Sequence, residues 1–468
     1  MDTTQAARMN MKKLNGDVLT PITVFLRLEG EKKFLLESSL KHSEQGRYSF
    51  IGVNPIKEII GEGGKTKVVL PTGEVASDKV RRALDILKEA VPPMDLGLPF
   101  PYCGGAVGFI GYDAIRQYRD IGRGLPDEIG MPDVHFMVYQ DTIVFDHLAQ
   151  AVYILAVDLD GCRDDKQLEN RVRELEKQML RTDADEALEE CQIHFGPELE
   201  KDEFIRRISE AKGYVLSGEL EQIVLSQRMK GEISTNPFHF YRKLRNSNPS
   251  PYMFYVDFGE YVVLGASPES FVKTSGKRVM TNPIAGTRPR GRTAEEDAAL
   301  AAGLLEDEKE LSEHRMLVDL SCDDFSRVCE PGTISVVDYM KIERYRHVMH
   351  IVSEVEGTLR EDCTGIDALI ECLPAGTVSG APKVRAMQVI NDLEDVKRGV
   401  YAGAIGYVNA NGDTDFALAI RSLVVKNRQA YLQAGAGIVA DSIPEREYME
   451  TINKAKGLLN TSKDHKNI

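Results

Sequence analysis

Two Glu-x-x-Glu spacings stand out among the 73 acidic residues of the chain: Glu310/Glu313 and Glu447/Glu450. Both fall in stretches of helical periodicity, where residues i and i+3 share a face, so each pair presents two carboxylates together. Facing one another, the pairs would make an oxygen-rich cage suited to Mg²⁺, which takes a few carboxylates plus water and substrate oxygens. Acidic pairs on helices also serve as ordinary solvated faces. Glu313 departs from that pattern, because SEHRMLVDL sets it among apolar positions where an acid needs a partner.

Glycine marks a second group: GTVSGAPK (376–383), GAIGY (403–407) and QAGAG (433–437). Without a Cβ the backbone approaches a ligand closely, and successive N–H groups can hold a carboxylate, although tight turns use the same residues. QAGAG lacks the third glycine of a dinucleotide fingerprint and runs on as strand. In SGAPK, Pro382 suits a first helical turn, with Ser379 or Gly380 as the cap. PIAGTRPRG (283–291) offers two arginines on a semi-rigid loop, fit for a carboxylate or phosphate or for plain surface. Glu269 in GASPES and Arg421 in ALAIRSLV read as strand-borne, and an arginine in an apolar strand either snorkels or meets an anion. His314 follows Glu313, while His347 and His350 bracket RHVMH, where a structural role is the ordinary one.

These residues must be positioned by a mixture of strands and helices. FLLESSL (34–40), RYSFIGV (47–53), KVVL (67–70), AVYILAVDL (151–159), YMFYVDF, YVVLGAS, YAGAIGYV, DFALAIRSLVV and AYLQAGAGIV read as strands. Helical periodicity covers 80–90, 168–179, 202–220, 307–320, 381–394 and 446–459. Without a strict βαβ rhythm, the pattern argues for α+β. The polar stretch 182–201 is a candidate seam, dividing an N-terminal region 1–195 from a region 196–468. At 468 residues, two domains or one elaborated domain are expected. A net charge of −15 argues against nucleic acid or an anionic membrane as partner. Seven scattered cysteines without CxxC, and no apolar leader in MDTTQAARMNMKK, point to a reduced, cytoplasmic enzyme without zinc or disulfides.

Taken in order, NPSPYMFY, GASPE, PIAGTRPRG, DEKELSEH, VMH, GTVSGAPKVRAM, YAGAIGY, AIRS and QAGAGIVADSIPEREYMET form a series. The series resembles the chorismate-utilising enzymes, and within them the component I (large, chorismate-binding) subunits of anthranilate synthases. The resemblance is dense over 202–460 and thinner at FLLESSL and RYSFIG. It implies two stacked antiparallel β-sheets surrounded by helices, with the active-site cleft between them. The implied reaction joins chorismate and ammonia into anthranilate and pyruvate with Mg²⁺, as the first committed step of tryptophan synthesis. An aminodeoxychorismate synthase component I, or an aminodeoxyisochorismate-forming relative, is the alternative.

The resemblance also carries roles onto residues of this chain. Glu310, Glu313, Glu447 and Glu450 match the metal holders. Gly286, Thr287, Thr377, Tyr401, Arg421, Gly435, Ala436 and Gly437 match substrate contacts. Glu269 matches the acid that protonates the departing C4 hydroxyl, and His350 the base that removes the C2 proton. Gln222 stands where hydroxylating relatives carry a water-activating lysine, and Ala285 where many aminodeoxychorismate synthases carry a nucleophilic lysine, so both favour ammonia and anthranilate. FLLESSL and NPSPYMFY match a tryptophan pocket, with Glu37 and Ser38 receiving the amino group and Pro251, Tyr252 and Met253 lining the indole. No cysteine sits in a glutaminase setting, so a glutamine amidotransferase subunit is the expected source of ammonia. One departure is Ser321-Cys322-Asp323-Asp324, where family members usually read A/G-R-N-D. The lost arginine would leave a buried acid unmatched if one had relied on it.

Overall fold

Along the run 253–256 the side chains alternate between two apolar environments. Phe254 and Val256 enter one cluster, Met253 and Tyr255 another. A strand buried on both faces must be apolar throughout, and this period of two builds the whole molecule. The computed structural model describes residues 8–38, 46–91, 93–182, 193, 195–345 and 348–459. His347, Cys191 and the Ser39-Leu40 end of FLLESSL lie outside them.

Among the described residues the strands assemble into two 12-stranded sheets with antiparallel neighbours. The first runs from Met9–Asn15 at one edge, through Phe34–Glu37 and Tyr252–Asp257, to Gln429–Ile438 and Gln222–Glu232 near the other. The second runs from Ile284–Pro289 and Val348–Thr358, through Ser270–Ser275 and Thr414–Leu418, to Val75–Lys79. Both draw strands from either side of residue 195. Phe34–Glu37 pairs with Tyr252–Asp257, and Gly105–Ile110 with Ala404–Asn409.

Phe34, Phe254, Val256 and Val263 of the first sheet meet Val107, Phe109, Met137 and Ile405 of the second. Each such aromatic or branched side chain contributes roughly 1.5–3 kcal/mol by leaving water. Helices cover the outer faces. Asp165–Met179 and Pro237–Ser247 lie on the first sheet; Ala83–Ala90, Glu308–Ser326 and Gly365–Cys372 lie on the second. The expected α+β architecture of two stacked sheets wrapped by helices is the one observed. No helix among the described residues is long and apolar enough to cross a membrane.

Three local expectations differ from the structure. DFALAIRSLVV is two strands, Thr414–Leu418 in the second sheet and Ser422–Lys426 in the first. GASPES is likewise split, with Tyr261–Ser267 in the first sheet and Ser270–Ser275 in the second. A crossing between stacked sheets needs a break, and burial on both sides of the break hides it from an apolar pattern. The helix after SGAPK is Lys383–Leu393, capped by Pro382 itself, because Gly380 and Ala381 are drawn into the first sheet against Gln222 and Ile223.

Candidate active site

Glu269 and Arg421 sit at the two crossovers, side by side. Ala266 N–H donates to the Arg421 carbonyl at 3.0 Å, and Leu418 N–H to the Glu269 carbonyl at 3.1 Å. Ser267 Oγ donates to the Leu418 carbonyl at 2.7 Å, tying one crossover to the other. Arg421 has a φ of +51°, the left-handed turn that ends one strand and starts the next. Neither residue lies within a strand, as the sequence pattern had suggested. Both stand where the sheets part.

The Glu269 side chain is buried, and its Oε1 accepts a hydrogen bond from Thr377 Oγ1 at 2.8 Å. Burial pushes its pKa up to about 7, against the opposing influences of Thr377 and the Lys454 charge. A carboxyl so placed holds a proton near neutral pH and can give it away. Thr377 rides on the short turn Gly376–Val378, which Arg398 fixes from below. Arg398 donates to the Val378 carbonyl at 2.7 Å and to the Val224 carbonyl at 2.8 Å, and pairs with Glu394. This buried pair has its hydrogen bonds satisfied, so it orders the loop without an orphaned charge.

On the second sheet, His350 Nδ1 lies 2.8 Å from the Gly286 carbonyl and 3.1 Å from Thr287 Oγ1. A carbonyl only accepts, so the proton is on Nδ1 and Nε2 keeps its lone pair. Burial lowers the His350 pKa, opposed by that hydrogen bond and aided by the Arg421 charge, which favours the neutral base. Gly286 has a φ of +67°, and a Cβ there would lie 3.2 Å from Glu310 Oε2. The glycine thus lets the backbone that orients His350 pass close to the Glu310/Glu313 pair.

Arg421 is half-buried and donates to the Lys454 carbonyl at 3.0 Å; among the described residues no carboxylate pairs with it. Burial lowers its pKa, and an anion would relieve that cost. Tyr401 is buried near it, its pKa pushed up to about 12 by burial, so its hydroxyl is a donor. A Cβ on Gly435 would lie 2.7 Å from Tyr401 Oη, and one on Gly437 2.7 Å from Gln222 Nε2. At 435 the rigid Tyr401 ring and the Leu225 carbonyl leave room only for glycine, while at 437 the neighbour is a flexible side-chain end. Ser422–Lys426 pairs with Gln429–Ile438 as far as Leu432, after which Gly435, Ala436 and Gly437 pair only with Gln222–Glu232. Among the described residues, the other edge of QAGAG therefore carries no further strand, and Lys454 Nζ donates to its Gly435 carbonyl at 2.9 Å.

Lys309 and Lys454 act on both Glu313 and Glu447, so the two Glu-x-x-Glu pairs share neighbouring cations. Burial raises the pKa of both acids. Each of the four already has a protein donor, and among the described residues no three acidic, histidine or cysteine side chains form a ready metal cluster. Gln222 Nε2 donates to Glu313 Oε1 at 3.2 Å, while Gln222 Oε1 is buried without a partner. Glu310, Glu313 and Glu447 are partly buried and Glu450 is exposed, and carboxylates are the donor type a hard cation takes.

PIAGTRPRG forms the strand Ile284–Pro289, and neither arginine is free, since Arg288 pairs with Asp307 and Arg290 with Asp297. His314 Nε2 meets Ser353 Oγ at 2.6 Å inside the core, a structural role. The Ser321-Cys322-Asp323-Asp324 departure leaves no unmatched acid: Asp324 pairs with Lys383 and Asp323 with Arg327. Glu37 and Met253 are register partners, so FLLESSL and NPSPYMFY do meet. The Glu37 carboxylate, however, accepts from Arg245 at 2.8 and 2.9 Å and from Tyr241 at 2.9 Å. Tyr252 turns to Asp415 and Ser270 of the second sheet while Met253 faces the other side, so their side chains do not form one wall. Sequence reasoning missed Lys454, Arg398 and Arg245. Lys454 and Arg398 each stand four residues after a glutamate, a spacing common on solvated helices, and Arg245 offered no local signal.

Comparison with known proteins agrees with this geometry. Residues 31–460 match the chorismate binding enzyme family. The chain is 44% identical over 454 residues to anthranilate synthase component 1 of Lactococcus lactis, covering 96% of this chain and 98% of that one. It resembles the crystal structure of anthranilate synthase component I from Streptococcus pneumoniae with a TM-score of 0.82 and 44% identity, over 96% and 99% of the two chains. The menaquinone-specific isochorismate synthase of Escherichia coli shares the fold at 18% identity and a TM-score of 0.73, over 97% and 95% of the two chains.

Proposed function

The chain belongs to the chorismate binding enzyme family, and from that premise we propose that it converts chorismate and ammonia to anthranilate and pyruvate. The observation that carries the reading is Glu269, a buried carboxyl that holds its proton near neutral pH where the two sheets part. It protonates the C4 hydroxyl as ammonia adds at C2. His350 Nε2, free because Nδ1 faces a carbonyl, then takes the C2 proton as pyruvate leaves and the ring becomes aromatic. Arg421, the Tyr401 hydroxyl and the strand edge of Gly435 to Gly437 receive the enolpyruvyl carboxylate. Thr377 orients Glu269, and Gly286 and Thr287 orient His350.

Glu310, Glu313, Glu447 and Glu450 would hold Mg²⁺, which when bound supplies Lewis-acid polarisation of the ring carboxylate. Turnover is expected to stop in EDTA and return with added Mg²⁺, and Glu313→Gln to weaken chorismate and metal binding together. Full turnover in metal-free buffer would remove the metal from the reaction.

A separate glutamine amidotransferase supplies the ammonia, because no cysteine of the sequence lies in a glutaminase-like setting. Burial pushes Cys103 up to about 12 and Cys329 up to about 11, far from a thiolate at neutral pH. The purified chain should use ammonium salts, at a rate that grows with free ammonia at any fixed pH, and ignore glutamine. Glutamine-dependent product from the single chain would contradict this.

Tryptophan is proposed as inhibitor at the junction of Phe34–Glu37 and Tyr252–Asp257, near Glu37, Ser38, Pro251 and Met253. Because Glu37 is engaged by Arg245, the amino group must share or displace that guanidinium. Ser38→Phe is expected to raise the tryptophan concentration needed for half-inhibition while leaving uninhibited turnover near the parent. Parent enzyme that binds no tryptophan by calorimetry would remove the pocket.

A further inference from the structure

Glu310 repels Glu313 and Glu450 repels Glu447, and the chain supplies its own compensation. Glu310 Oε1 lies 3.4 Å from Arg288 Nη1, and Glu450 Oε1 lies 2.7 Å from Lys454 Nζ. One cation is thus ion-paired to each Glu-x-x-Glu pair, while Lys309 acts on Glu313 and Glu447 through its charge alone. Glu313 and Glu447 take neutral donors instead, Gln222 and Ser442. Both cations have a second anchor. Arg288 Nη2 is held by Asp307 Oδ2 at 2.7 Å, and Lys454 Nζ donates to the Gly435 carbonyl at 2.9 Å. Each can release its glutamate and still keep a partner.

We propose that Arg288 and Lys454 are resident counter-ions of the carboxylate cluster, competing with a divalent cation for Glu310 and Glu450. The inference rests on the metal assignment made under Proposed function. Both ion pairs are partly exposed to solvent, so neither locks its carboxylate and a divalent ion can displace it. Binding at the site is then an exchange of cations. Lys454 also ties the exchange to substrate, because its second anchor is the Gly435 carbonyl on the strand edge assigned to the enolpyruvyl carboxylate.

The test titrates MgCl₂ into the purified full chain by calorimetry, without chorismate, and repeats it with Mn²⁺ followed by electron paramagnetic resonance. Lys454→Met and Arg288→Met are each expected to bind the ion about three- to tenfold tighter than the parent, because a competitor is gone. Lys454→Arg keeps the charge and should stay near the parent. Glu450→Gln should weaken binding, which marks the site being read. Saturable binding by the parent with equal or weaker binding in the folded methionine variants would overturn this inference and leave the metal assignment standing. No saturable binding by the parent or any variant would overturn both. If Lys454→Met does not fold, Arg288→Met answers the same question from the other carboxylate pair.

Discussion

Glu269→Gln is expected to lower the rate of chorismate consumption by about 10²–10⁴-fold, the usual worth of a positioned general acid. The amide keeps the shape and can still accept from Thr377 Oγ1, so the loop at Gly376–Val378 should stay in place. What it lacks is a proton to give. Both half-reactions fall together, because the second has no substrate until the first has run. The pH dependence separates this from a misfolded site. In the parent, the protonated Glu269 is the working form and its pKa is pushed up to about 7 by burial. At fixed free ammonia, turnover should therefore decline as pH rises through that value, and the decline should vanish in Glu269→Gln. Near-parental turnover by the variant, or an unchanged alkaline limb, would exclude Glu269 as the acid.

His350→Ala should split the reaction. Amination does not need a base at C2, so chorismate should still disappear. Removal of the C2 proton should slow by about 10²–10⁴-fold, and an aminated, non-aromatic compound should accumulate without stoichiometric pyruvate. Burial holds the His350 pKa below its ordinary value, so the imidazole is neutral and ready across the neutral range. The parental elimination step should weaken only as pH falls through that lowered pKa. Time-resolved chromatography of the products reads this directly. Anthranilate formed by His350→Ala at the parental rate would assign the proton transfer to another group.

Much of this site was legible because its chemistry clusters in short motifs. Glu-x-x-Glu on a helix, glycine in QAGAG and the GASPE and AIRS runs are local patterns, and the structure sets the crossovers of Glu269 and Arg421 side by side and Tyr401 against Gly435. What was not legible depends on long-range contacts. Arg421 read as strand because Leu418 and Leu423 on either side are equally buried, although they belong to different sheets. The two arginines of PIAGTRPRG could be read either as an anion-binding pair or as plain surface, because Asp297 and Asp307, which neutralise them, follow only later in sequence. Glu37 read as free to meet an ammonium because Arg245 approaches from a helix on the far side of the chain. Lys454 carried no sign of its place, since its contact with Gly435 exists only once the last helix packs on the strand before it.

The central claim is that this single chain aminates chorismate and expels pyruvate. The most direct measurement incubates the purified protein with chorismate, MgCl₂ and an ammonium salt, and follows anthranilate fluorescence and pyruvate in the same sample. The account predicts both products in equal amounts, absent when ammonium or chorismate is withheld. Chorismate consumed to isochorismate or another nitrogen-free product, or an aminated product without pyruvate from the parent chain, would contradict it.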